Sequence, residues 1–214
     1  MRSALILAAG LSTRFPGNKL LYEVEDQLVG RDSIIRVAVR KFLSCGCFDE
    51  VVVVVGYEYG RVVEALKDLD VKFVYNPDFT RGMSTSVVAG ARRVVRHSSL
   101  VAVHPADVPF VRTSTISLLV GVASAYTSGA GAIVIPRYGP KGGHPLVASG
   151  ELVRELLNLS EEELGLKGLI SRKKDRVVYV DTDDPGVALD VDRPEDLDVA
   201  YRTLLEAPRG FQNP

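Results

Sequence analysis

Met1-Arg2-Ser3-Ala4-Leu5-Ile6-Leu7-Ala8-Ala9-Gly10 opens the chain, and Leu11-Ser12-Thr13-Arg14-Phe15-Pro16-Gly17-Asn18-Lys19 follows it. A basic residue ahead of an apolar run is also how a secretory signal begins. This run is short, however, and glycine and arginine follow at once. It therefore reads as a buried β-strand over Leu5–Ala8 that feeds a glycine-rich, basic loop. With no signal of that kind, a cytoplasmic location is expected.

Further along, Val51–Val55, Val71–Tyr75, Leu100–Val103, Ala132–Ile135 and Val177–Val180 are runs of the same kind, rich in Val, Ile and Leu and bounded by Gly, Pro, Asp or Asn. Between them lie stripes at helical spacing. Ser33 is placed to cap a helix with Ile34, Ile35, Ala38, Val39, Phe42 and Leu43 on one side, ending at Gly46. Val87, Val88, Ala91, Val94 and Val95 form a second stripe, and Ile116, Leu119, Val120 and Ala123 a third. This alternation predicts an α/β fold with a mostly parallel sheet covered by helices on both faces. The length of 214 residues suits one domain over residues 1–206, with a loose tail over 207–214.

A net charge of −1 gives no broad cationic field for nucleic acid, so an anionic ligand must be held by a few placed residues. The apolar stretches are too short or too interrupted to span a bilayer. Cys45 and Cys47 lack His or Cys neighbours at metal-ligand spacing, and read as small apolar side chains at a helix end.

In open α/β sheets the ligand crevice lies beyond the carboxyl ends of the strands. In the first such loop, small residues bring backbone N–H groups near an anion, while Arg14 and Lys19 are suited to neutralising a triphosphate. The loop fits neither a Walker A nor a G-x-G-x-x-G pattern. After Tyr75 comes Asn76-Pro77-Asp78-Phe79-Thr80-Arg81-Gly82-Met83-Ser84-Thr85-Ser86, whose hydroxyls open the second helix, where free N–H groups and the dipole suit an anion. After Val103, His104-Pro105-Ala106-Asp107-Val108-Pro109 puts a carboxylate between two prolines, a candidate Mg²⁺ ligand. His104 reads as a packed loop residue. In Asp190-Val191-Asp192 the two carboxylates lie two apart and share a face of an extended segment, and Asp192 is the better second metal ligand.

Leu7-Ala8-Ala9-Gly10-Leu11-Ser12-Thr13-Arg14-Phe15 with Lys19 resembles the L-A-A-G-x-S-x-R-[FM]-…-K signature of the molybdopterin nucleotidyltransferases. Four further matches follow in family order. The Asn76–Ser86 stretch is similar to an N-P-x-[FWY]-x-x-G-M-S-[ST]-S block, and Ala106-Asp107-Val108-Pro109 to [GA]-D-[MQV]-P. Gly143-His144-Pro145-Leu146-Val147 matches G-H-P-[VL]-[LV], and Asp190–Leu197 matches D-[IV]-D-x-P-E-D-L. The segment Gly165–Ile170 is close to another family stretch but lacks its usual aspartate.

The resemblance implies a Rossmann-like GT-A fold and transfer of CMP from CTP to a molybdopterin phosphate, with release of pyrophosphate and Mg²⁺ as cofactor. It implies nucleotide contacts from Leu7, Ala8, Ala9, Gly10, Ser12, Arg14, Lys19, Asn76, Gly82, Ser84 and Ser86. It further implies catalysis by Lys19, Arg14 and Asp107, metal ligation by Asp107, Asp192 and Asp190, and an acceptor wall of Gly143, His144 and Pro145. Alanine at position 9 points to the cytidylyltransferase branch, since guanine-using members usually carry glycine there. Other readings stay open: another phosphorylated acceptor such as a sugar or polyol phosphate, GTP as donor, a GT-A glycosyltransferase, or a catalytically silent nucleotide sensor.

Overall fold

Every one of the six apolar runs becomes a strand, and the four central ones are buried while the two at the sheet edges, Lys72–Tyr75 and Val177–Asp181, are more exposed. β1 (Arg2–Ala8) is enclosed on both sides, with Ala4, Ile6 and Ala8 in one apolar cluster and Leu5 and Leu7 in the other. The computed structural model describes residues 1–207. After β1 come a small antiparallel hairpin of β2 (Glu23–Asp26) and β3 (Gly30–Ser33), then α1 (Ile34–Ser44), β4 (Glu50–Val55), α2 (Tyr59–Ala65) and β5 (Lys72–Tyr75). The middle of the chain forms α3 (Met83–Val94), β6 (Leu100–Pro105), α4 (Thr113–Ser124), β7 (Ile133–Tyr138), β8 (Lys141–Gly142) and β9 (Leu146–Ser149). It ends with α5 (Leu152–Glu155), α6 (Gly165–Arg172), β10 (Val177–Asp181) and α7 (Pro194–Glu206).

The main sheet runs in the order β10-β7-β9-β6-β1-β4-β5, with β8 paired to β7. β1 lies parallel to β4 and β6, β5 parallel to β4, and β10 parallel to β7, while β9 runs antiparallel to both its neighbours. The carboxyl ends of β1, β4, β5, β6, β7 and β10 therefore share one edge. Helices cover both faces. On one side α1 and α4 contribute Ile34, Ile35, Phe42, Ile116 and Leu119; on the other α3 and α6 contribute Val87, Ala91, Val94 and Leu169. Gly90 brings α3 close to the sheet: a methyl there would lie 2.9 Å from Val54 and 3.1 Å from Leu5. Among the described residues no helix is long and apolar enough to cross a membrane.

Several local expectations differ. Ser33 stands at the N-cap of α1 but makes no capping hydrogen bond, and among the described residues its buried hydroxyl has no partner. The helix stops at Ser44 rather than Gly46. Cys45 and Cys47 are joined in a disulfide, not simply packed as apolar groups; Gly46, at φ 63°, turns the chain so that their Cα atoms lie 5.3 Å apart. Apart from Ala207, the expected C-terminal tail lies outside the described residues.

Candidate active site

The loop after β1 is tied back on itself. Ser12 adopts a left-handed backbone (φ 56°), its carbonyl accepts from Phe15 N–H at 3.0 Å, and its hydroxyl accepts from Lys19 N–H at 3.2 Å. Phe15 is buried against the Tyr22 ring, and Asn18 Oδ1 accepts from Leu20 N–H. These anchors fix where Lys19 begins. From there its ammonium donates to Asp107 Oδ2 at 2.6 Å and to Asp192 Oδ1 at 2.9 Å. Arg14 pairs with the other oxygen of Asp192 at 2.7 Å.

Both carboxylates are held from behind. Asp107 follows β6, and its carbonyl accepts from Val191 N–H at 2.8 Å, which draws the Asp190–Asp192 segment beside it. Asp192 N–H and Arg193 N–H both donate to Asp196 Oδ2, at 2.8 and 2.7 Å. Asp196, the third residue of α7, thus closes a capping box at that helix's N-terminus and also sets the turn carrying Asp192. Farther up the chain, the fully buried Asp184 accepts from Arg112 N–H, Thr115 Oγ1 and Gly186 N–H, which steadies the approach to that turn.

Charges are balanced and mutually tuned. Burial disfavours the Lys19 ammonium, but the charge and hydrogen bonds of Asp107 and then Asp192 outweigh it, so its pKa is raised. Burial likewise works against the Asp192 carboxylate, and Lys19 and then Arg14 overcome this, so its pKa is lowered. Each group stays ionised at neutral pH.

Around this cluster lies a cavity of about 890 Å³. Of the expected site residues, Leu7, Ala9, Gly10, Ser12, Arg14, Lys19, Gly82, Ser86, Asp107, Gly143, His144, Asp190 and Asp192 line it. Ala8, Asn76, Ser84 and Pro145 do not. Ala8 and Pro145 are buried away from it. Asn76 is buried as a brace: its amide donates to Thr85 Oγ1 and Ser86 Oγ, both at 2.9 Å, and its oxygen accepts from Asp78 N–H. Ser84 donates its N–H (2.7 Å) and its hydroxyl (2.5 Å) to Glu161. An internal carboxylate thus already occupies part of the helix N-terminus that the sequence offers to an external anion. Thr13, Phe79, Thr80, Met83 and Lys141 line the cavity without having been expected.

The sequence model described as MobA-like NTP transferase domain matches residues 4–177. The chain belongs to this family. A nucleotidyl transferase from Methanothermobacter thermautotroptrophicus is 25% identical, with 96% of this chain and 98% of that one covered and a TM-score of 0.78. Rv0371C from Mycobacterium tuberculosis H37Rv, solved in complex with manganese, is 25% identical over 96% of this chain and 98% of its own, with a TM-score of 0.70. The bifunctional protein GlmU of Aquifex aeolicus is 31% identical over 113 residues, which are 53% of this chain but only 24% of that protein. Asp190 and Asp192 lie beyond the matched segment, so their place in this MobA-like site rests on the fold alone.

The family is one of NTP transferases, and the charged groups of this site suit that class of chemistry. Two carboxylates one ammonium apart are hard oxygen donors suited to a divalent ion that keeps its other ligands from phosphate and water. Asp190 lines the same cavity, but among the described residues no three Asp, Glu, His or Cys side chains form a metal-binding group. His104 is fully buried on β6 rather than in a loop, with Nε2 at 2.9 Å from Val108 O and its ring against Phe42. Burial first, and then the neighbouring His144, pull its pKa down to about 3, so it is a neutral packing residue. Gly143 is required by contact: a Cβ there would lie 2.2 Å from Val187 O, and His144 N–H donates to that same oxygen at 2.8 Å.

Proposed function

We propose that this nucleotidyltransferase transfers CMP from CTP to the terminal phosphate of molybdopterin, the organic part of the molybdenum cofactor, with Mg²⁺ as its metal. On this reading residues 1–206 act as one catalytic domain. The observation that carries the choice of base is the crowded wall at the end of β1. Ala9 is buried and lines the cavity, and a methyl on the neighbouring Gly56 would lie 2.9 Å from Ala9 Cβ and 2.7 Å from Phe79. The side chains of Ala9 and Phe79 therefore close on the Gly56 backbone, and a pyrimidine fits beside such a wall more easily than a purine.

The step itself is an in-line displacement. A phosphate oxygen of the acceptor attacks the α-phosphorus of CTP, and the bond to the bridging oxygen breaks. Pyrophosphate leaves with the electron pair. An ionised phosphate needs no general base. Lys19 and Arg14 supply fixed positive charge as the leaving group gains negative charge. Asp107 and Asp192 would hold Mg²⁺, which when bound draws charge from the phosphate oxygens. Ser12 and Asp196 keep Lys19 and Asp192 in register, so positioning is set before the nucleotide arrives. The wall of Gly143 and His144 faces the same cavity and supports an acceptor site there, with Pro145 buried behind it.

Pyrophosphate release measured with each of the four nucleoside triphosphates, against reduced molybdopterin, a sugar phosphate and a polyol phosphate, tests the reading. Release with CTP and molybdopterin is expected. Release only with a sugar or polyol phosphate would overturn the acceptor while leaving the transferase chemistry standing.

A further inference from the structure

Three cations line the cavity: Arg14, Lys19 and Lys141; three carboxylates, Asp107, Asp190 and Asp192, oppose them. Arg14 and Lys19 are both committed to carboxylates at 2.6–2.9 Å. Lys141 has no ion-pair partner among the described residues. It is exposed at the start of β8, on the strand that leads into Gly143 and His144. That strand is firmly seated. It pairs with β7 through Arg137↔Gly142 and Tyr138↔Lys141, Gly143 N–H donates to Pro136 O at 2.8 Å, and Gly143 and His144 press on Val187. His144 lines the same wall of the cavity as Lys141. Among the described residues the Nδ1 of His144 has no hydrogen-bond partner.

We infer that Lys141 is the acceptor-phosphate residue: it binds the phosphomonoester of the nucleophile, as distinct from the triphosphate of the donor. Two anions of like sign must meet in this cavity for the transfer to occur. The donor's negative charge falls to Arg14, Lys19 and the metal held by Asp107 and Asp192. The second phosphate needs a cation of its own, or its repulsion by the three carboxylates goes uncompensated. Lys141 supplies that charge from an ordered strand on the acceptor wall. The inference rests on the transferase reading above, but it does not depend on which phosphorylated compound the enzyme uses.

The test separates the two. Phenyl phosphate serves as a bare phosphomonoester probe, titrated calorimetrically into protein saturated with Mg²⁺ and the non-reacting α,β-methylene analogue of CTP. The wild type is expected to bind it, Lys141→Glu to bind it about tenfold more weakly or worse, and Lys141→Arg to bind as the wild type does. Affinity for the CTP analogue should change less than about twofold in either variant. Failure of the wild type to bind phenyl phosphate, equal binding by Lys141→Glu, or an equal loss of nucleotide affinity would each overturn the assignment. Lys141-dependent binding in an enzyme that rejects molybdopterin would leave it standing and dismiss only the choice of acceptor.

Discussion

Replacing Lys19 with alanine removes the ammonium that lies 2.6 Å from Asp107 and 2.9 Å from Asp192. The side chain is only 12% exposed, so water replaces the lost charge poorly. A preorganised charge contact of this kind is worth about 2–4 kcal/mol of transition-state stabilisation, which is roughly 30- to 900-fold in kcat/KM. A second effect should run the other way. The ammonium competes with a divalent ion for the same two carboxylates, so nucleotide-free Lys19→Ala should bind Mg²⁺ more tightly than the wild type. Steady-state pyrophosphate release gives the first number, and calorimetric titration of Mg²⁺ gives the second. A rise in KM for CTP with kcat untouched would refute the catalytic role and leave Lys19 as a ground-state contact. Unchanged Mg²⁺ affinity would refute the competition for Asp107 and Asp192.

Two further outcomes follow from the same geometry. Asp107→Ala should keep its fold, since among the described residues its carboxylate bonds only to Lys19, yet lose most turnover even at saturating Mg²⁺; activity near the wild-type level would make the metal assignment wrong. His104 has its pKa pulled from 6.5 to about 3, so the unfolded chain takes up a proton below about pH 6.5 that the folded protein refuses. Stability is therefore fully present above that pH and falls as pH drops towards 3, by about 1.4 kcal/mol per unit well inside the window. Glu50 acts in the same direction at lower pH. Burial opposes its charge, but Lys72, His97 and Ser3 hold its pKa at about 2, so its contribution fades as pH falls from 4.5. In denaturant unfolding, His104→Gln should reduce the stability lost between about pH 7 and about pH 5 by about 2 kcal/mol; an unaltered loss would mean that His104 is not held neutral.

Strands buried on both faces need no alternation to be recognised, which is why β1, β4, β6 and β7 stand out as apolar runs. β9 is hidden because its four residues follow His144-Pro145 inside a stretch that reads as a ligand wall. The β2–β3 hairpin is hidden because only Val24 among its first strand's residues is buried. In the site, Asp107 is legible because it directly follows a strand's carboxyl end, Lys19 because it closes the basic loop after β1, and Asp192 because it shares an extended segment with Asp190. Ser84 and Asn76 are not, because their partners are set by tertiary packing. Glu161, which takes Ser84's N–H and hydroxyl, is 77 residues away. Asn76 turns inward to brace the hydroxyls of Thr85 and Ser86, leaving Ser86 to face the cavity. Lys141 had a signal in the sequence, a cation directly ahead of Gly142-Gly143-His144, but its lack of an ion-pair partner is visible only in three dimensions.

Equimolar CTP and GTP offered together with reduced molybdopterin and Mg²⁺, with the product identified by mass, tests the central claim most directly. The account predicts a product that has gained CMP, with a CTP preference of about 10- to 200-fold from the Ala9 methyl, narrowed but not reversed in Ala9→Gly. A product carrying GMP, or equal use of the two nucleotides by the native protein, would contradict it.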